Sequence, residues 1–219
     1  MNDYLQTYHP NLRRTPHLYH QSEFGIHFSL GDDLSPLNDV DGINNDYFQL
    51  VYQQAMTIFD ELFHPDDELI WVTNMYKSKY EKKNVRPLKV YQPYLKDKRA
   101  LYRLHVHTYP YPFENDEEGD EMQQFSLNCK RNDIRILPLL KSAIHEDFPL
   151  KPRFGGYAIG YPDVLFVNTT KNVTFFLYDD RGCEVTSLNA DTIRPLYETY
   201  KSWIAEYDRQ DIEERLRIK

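Results

Sequence analysis

Apolar and polar positions recur with two different periods along this chain, and the switches between them mark its elements. Phe24, Ile26 and Phe28 interleave with Gly25, His27 and Ser29, a period of two that predicts a half-buried strand closed by Gly31-Asp32-Asp33. Phe48, Val51, Tyr52, Ala55, Ile58, Phe59, Leu62 and Phe63 return at helical spacing. They predict a helix over 46–63, capped by Asn44 or Asn45 and stopped at His64-Pro65. Leu69 to Met75 is rich in β-formers and predicts a central strand with Trp71 in the core. Leu101 to Tyr109, Met122 to Cys129 and Val164 to Asn168 read as further strands. Asp133 is a plausible cap for a helix through Ile144, and residues 3–9 predict a short helix.

The densest signal runs from Val173 to Tyr207. Phe175, Phe176, Leu177 and Tyr178 meet the turn Asp179-Asp180-Arg181-Gly182, and a second short run, Cys183 to Thr186, follows. This is hairpin chemistry: a glycine free to take positive φ, and aspartates able to accept turn N–H bonds. Asp191 then offers a cap, with Pro195 in the first helical turn. Ile193, Leu196, Tyr197, Tyr200, Trp203, Ile204 and Tyr207 follow as one apolar stripe that should cover the sheet. A short polar helix near the end should fray. Hairpin-length connections outnumber crossovers, so the expected architecture is one α+β domain over 1–219, mainly antiparallel sheet packed by helices.

Composition adds three constraints. The chain holds 18 Tyr and 12 Phe, enough aromatic surface for a core with an amphipathic rim or for a binding face. With 34 acids against 26 bases the net charge is −8, which disfavours nucleic acid and anionic membrane and suits a basic protein partner, such as a toxin domain. Six acids fall within Glu114–Glu121, an expected exposed connection, and Tyr76 to Arg86 is the one clearly basic segment. Cys129 and Cys183 form no C-x-x-C pair and read as buried free thiols of a reducing cytoplasm, a single disulfide being open only if their strands are neighbours. The N-terminal MNDYLQTYHPNL has no apolar core of a leader, and no run is long enough to span a membrane.

Candidate chemistry is sparse. Asp179, Asp180 and Arg181 are the binding candidates; two adjacent carboxylates can hold a divalent cation, but only with further ligands, and a structural turn is the plainer reading. His105 and His107 share a strand face and could give zinc two imidazoles, although no H-x-x-x-H pattern supplies a third. The glycines of 153–162 (RFGGYAIGYP) match neither a dinucleotide nor a P-loop pattern. No nucleophile elbow occurs, and neither cysteine neighbours a histidine in sequence. No cofactor is expected.

The stretch LYDDRGCEV, followed by LYETYKSWIAEYDR, resembles the signature of a bacterial domain-of-unknown-function family, number 3885. FGIHFSLG, YFQLVYQQAMTIFDELFHPDDEL and IWVTN resemble the rest of its pattern, so the likeness spans about Phe24 to Arg209. It implies no assigned activity and no catalytic residue. Two functional expectations stand: a cytoplasmic binding protein, most concretely an immunity protein, or an enzyme of unrecognised type using the Asp/Asp/Arg cluster or the histidine pair.

Overall fold

Strands buried at nearly every position are covered on both faces, and three such neighbouring strands form the middle of this molecule. The computed structural model describes residues 2–9, 12, 18–38, 42–77, 88–112, 120–154 and 161–218. Its centre is a seven-stranded, wholly antiparallel sheet. In spatial order it runs β1 (Phe24–Ser29), β9 (Gly182–Ser187), β8 (Val173–Leu177), β7 (Asp163–Asn168), β4 (Glu68–Lys77), β6 (Glu121–Lys130), β5 (His105–Pro110). A two-residue pair, β2 (Leu37–Asn38) and β3 (Gly42–Ile43), forms in the loop after β1.

One face carries Ile26, Phe28, Val185, Phe175, Phe166 and Trp71. It is covered by α2 (Asn45–Leu62), the one-turn α3 (Leu88–Tyr91), α4 (Ile136–Ile144) and α5 (Ala190–Tyr200). Asn44 caps α2 by accepting from Asp46 and Tyr47 N–H, as its position foretold. The other face of β4, β7 and β8 carries Ile70, Val72, Leu165, Val167 and Phe176. Leu5 of α1 (Asn2–Tyr8), Leu12 and Leu18 cover it, so the N-terminus is part of the core. The α+β reading with a mainly antiparallel sheet holds, and Cys129 and Cys183 are both buried and free. Among the described residues no helix is long and apolar enough to cross a membrane.

The C-terminal third departs from expectation. Asn189, not Asp191, caps α5, and Pro195 sits inside that helix. The stripe breaks after Tyr200, because a single-turn 3-10 helix (Lys201–Trp203) redirects the chain. Tyr200 and Trp203 are partly buried against the core, but Tyr207 is 79% exposed. The last segment does not fray: it is α6 (Glu206–Leu216), lying along β1 with Ile212 and Leu216 fully buried. Two other elements shift. Residues 98–103 are 3-10 helix, so the strand begins at His105, and Asp133 lies in a 3-10 turn before α4 rather than capping it.

Candidate functional site

The hairpin turn between β8 and β9 is held from three sides. Within it, Asp179 Oδ1 accepts the Arg181 backbone N–H at 2.7 Å, and Oδ2 accepts from Arg181 Nε at 2.9 Å and from its terminal nitrogen. From the loop after β1, Leu30 N–H donates to the Arg181 carbonyl at 2.8 Å. From α2, the Tyr47 hydroxyl donates to Asp180 Oδ2 at 2.7 Å. Gly31 makes that last contact possible: at φ +87° it lets the Tyr47 ring lie where a Cβ would come within 2.1 Å of the ring. Gly182 does not take the positive φ expected of it; its value is close approach, since a Cβ there would meet Tyr178 Oη at 2.1 Å and the Phe28 carbonyl at 2.6 Å.

This grip buries Asp179 and Asp180 to 4% and 3% exposure and leaves Arg181 pointing outward. The loop after α4 then brings Asp147 alongside. One carboxylate oxygen from each of Asp147, Asp179 and Asp180 lies within 4.8 Å of the others. Glu146 is within electrostatic reach of two of them: burial first, and the carboxylates of Asp147, Asp163 and Asp179 next, push its carboxyl up to about 7, against an opposing pull from Arg181. Burial also raises Asp180, partly offset by the Tyr47 hydrogen bond. His145 anchors this loop. Its Nδ1 lies 2.6 Å from the Pro152 carbonyl and its Nε2 2.5 Å from the Tyr52 hydroxyl, so the ring donates at one nitrogen and accepts at the other. Burial accordingly lowers its basicity.

The sequence candidates therefore divide. Asp179, Asp180 and Arg181 come together as a structural turn that also contributes two of three clustered carboxylates. Asp147 and Glu146 were missed, because nothing local in HEDFP links them to a turn more than thirty residues away. As a metal centre the cluster is half-built: Arg181 already engages Asp179, Tyr47 engages Asp180, and a hard cation wants about six oxygens. His105 and His107 do share a face of β5, with His107 stacked on Tyr109 at 6.0 Å. Among the described residues no third ligand joins them in a metal-sized group. The glycine-rich 155–160, the basic 78–87 and the acidic 113–119 lie outside the described residues.

A second polar cluster joins segments far apart in the chain. His27 Nδ1 lies 2.9 Å from Asp208 Oδ2 of α6, and His27 Nε2 lies 2.8 Å from the Tyr178 hydroxyl. The Tyr19 hydroxyl donates to the other Asp208 oxygen at 2.9 Å. The order carboxylate, imidazole, hydroxyl resembles a proton relay. Its surroundings oppose that use: burial, then Asp179, Cys183 and Glu184, raise the Tyr178 hydroxyl far above the ordinary tyrosine range. The cluster is a clamp. Three of its four members, His27, Tyr178 and Asp208, sit in FGIHFSLG, LYDDRGCEV and WIAEYDR, the stretches that carried the family resemblance, so those stretches converge on one hydrogen-bonded knot.

The family model described as "Domain of unknown function (DUF3885)" matches residues 1–208. The chain belongs to the DUF3885 family. A relative within reach of direct comparison is the "Uncharacterized protein YnaE" of Bacillus subtilis (strain 168), 53% identical over 205 residues that cover 93% of this chain and 96% of the relative. No solved structure matches. The DUF3885 match takes in both clusters, up to and including Asp208.

Proposed function

We propose that this chain is a protein-binding module, most concretely a cytoplasmic immunity protein that neutralises a basic toxin domain. The observation that carries the reading is the carboxylate cluster at the hairpin end, where Asp147, Asp179 and Asp180 lie together beside Glu146 and the outward-facing Arg181 pairs with Asp179 alone. Burial first, and then the repulsion of neighbouring carboxylates, lift Glu146 to about 7, and a cation arriving from outside would relieve the repulsive part. A lysine ammonium offers three donors to the three carboxylate oxygens. The net charge of −8 would speed the approach of a basic partner. The test is affinity capture from the bacterial host with the full chain as bait, beside an Asp147→Lys variant, which changes an exposed residue. A basic protein held in stoichiometric amount by the native chain, and released at least tenfold more readily by the variant, is the expected result. Absence of any stoichiometric partner would end this reading.

The same cluster supports a second reading, an enzyme in which Glu146 moves a proton, since a carboxyl titrating near neutrality suits general acid–base work. Metal content of the purified protein and its folding in chelator discriminate. Bound divalent metal in stoichiometric amount favours the enzyme, whereas a metal-free protein that keeps its fold leaves the binding reading ahead.

A further inference from the structure

The N-terminal cover of the second sheet face ends over β4, and a cleft lies beside it. Tyr4 of α1 borders that cleft, its hydroxyl held by Asn172 Oδ1. Opposite Glu68 and Ile70 of β4, β6 carries Lys130 and Asn128, both exposed. Register partners of an antiparallel pair share a face, so these four side chains rise together on the side that α1 borders. β5 first pairs at His105, with Ser126, so the last residues of β6 have β4 on one side and no register partner in β5 on the other. The chain before β5 is 3-10 helix instead, and it ends at Arg103. Arg103 and Asp133 complete the lining, and the cleft measures about 590 Å³. Small-molecule sites run from ~300 to ~1,000 Å³.

The charges lining this cleft do not close on one another. Their neighbours along the chain do pair: Asp67 with Lys171, Arg131 with Asp60, and Arg99 with Asp97. Glu68 and Lys130 face each other in register, yet among the described residues neither they nor Arg103 nor Asp133 forms an ion pair. Asp133 engages one oxygen with the Lys130 backbone N–H at 2.9 Å. We infer that the cleft takes a small zwitterion, a short peptide with free ends. Its carboxylate would meet Arg103 and Lys130, the guanidinium offering a two-pronged donor, and its ammonium would meet Glu68 and Asp133. A ligand of one sign alone meets as much repulsion as attraction there, because the lining carries both signs equally. Tyr4 and Ile70 supply apolar surface for a side chain. This cleft lies at the Glu68 end of β4, whereas the hairpin turn lies at the other end of the sheet, so the inference is independent of the carboxylate cluster.

Calorimetric titration of the full chain with leucyl-leucine tests this, beside N-acetyl-leucyl-leucine, leucyl-leucine amide, acetate and inorganic phosphate. Saturable binding of the free dipeptide is expected, weakened about tenfold or more when either end is blocked. Lys130→Gln should weaken the free dipeptide yet leave the amide, which has no carboxylate, nearly unchanged. Glu68→Gln should weaken the free dipeptide yet leave the N-acetyl form nearly unchanged. Both positions are exposed, and unchanged far-ultraviolet dichroism certifies the fold of each variant. No saturation by about 10 mM leucyl-leucine overturns the proposal. So does equal binding of free and blocked dipeptides, or a variant that weakens all three alike. Acetate or phosphate bound as tightly as the free dipeptide would show a plain anion site and overturn it too. The measurements on the native chain need no variant.

Discussion

The two edge strands began with the same alternating pattern and ended in opposite environments. β1 presents Ile26 and Phe28 to the core at 0% exposure, and α6 packs against it. β5 leaves His105, Val106 and Thr108 open to water. The difference comes from the chain ends. Asp208 of α6 is held by His27 and Tyr19, and Arg215 donates to the carbonyls of Tyr19 and Ser22 at 3.1 Å, so the C-terminus is fastened over β1. Local alternation reports that a strand has a dry face; it carries no information about what arrives later to cover its edge.

The largest expected effect lies on the sealed side. Phe28→Ala removes a ring from a site with no exposure, in the sheet layer packed by α2 and α5, and should cost about 3–4 kcal/mol in a urea unfolding titration. A loss under 1 kcal/mol would mean that the β1 edge is far less consolidated than its burial indicates. Next, Asp208→Ala strips the acceptor from both the Tyr19 hydroxyl and His27 Nδ1, leaving two nearly buried donors unmatched. That should cost about 2–3 kcal/mol. Hydrogen exchange should rise first in α6, the element whose attachment is lost.

Much of this architecture was legible from residues alone, and the exceptions share a cause. The helix over 46–63 and the hairpin at Asp179–Gly182 were readable because period, cap and turn residues agree within a few positions. The α5–α6 break was not, since Tyr207 continues the helical spacing of Tyr200 and Trp203 even though the backbone turns between them. In β7 and β8 nearly every residue is apolar, so the pattern could not tell that one face would be covered by Leu5, Leu12 and Leu18. The same limit applies to the candidate site. Asp179 and Asp180 advertise themselves as a turn, but Asp147 reaches them only through the path of α4. The bond between His27 and Asp208 spans 181 positions and has no local signature.

The pH dependence of stability sets the sealed half against the hairpin end with opposite signs. His9 lies under the N-terminal cover, its Nδ1 3.1 Å from Thr174 Oγ1, and burial drops its basicity to about 4. The unfolded chain binds that proton near 6.5, so stability is full above 6.5 and is lost as pH falls toward 4, by about 2 kcal/mol. Glu146 runs the other way. Its carboxyl is raised to about 7 in the fold against 4.5 unfolded, so stability is full below 4.5 and declines as pH rises to 7. At this half-exposed position solvent screening reduces the decline to about 1 kcal/mol. The two slopes oppose each other in the native chain. Chemical denaturation from pH 4 to pH 8 should give His9→Gln a stability that falls more steeply with rising pH, and Glu146→Gln one that climbs more steeply. Parallel profiles for the two variants would contradict the burial assigned to both groups.

The smallest effect on folding belongs to the exposed strand, and its smallness is the informative part. Val106→Ser removes apolar surface that is already half in water, so the monomer should lose no more than about 0.5 kcal/mol. At a sealed strand, loss of a side chain and loss of its contacts are one event, as Phe28 illustrates. At β5 they separate: Val106 is half in water in the folded chain, so the fold does not depend on it. The variant should therefore unfold at nearly the native urea concentration. A large loss of stability would instead show that Val106 is already packed within its own chain, and the distinction between a sealed and an exposed strand would then fail at the strand that defines it.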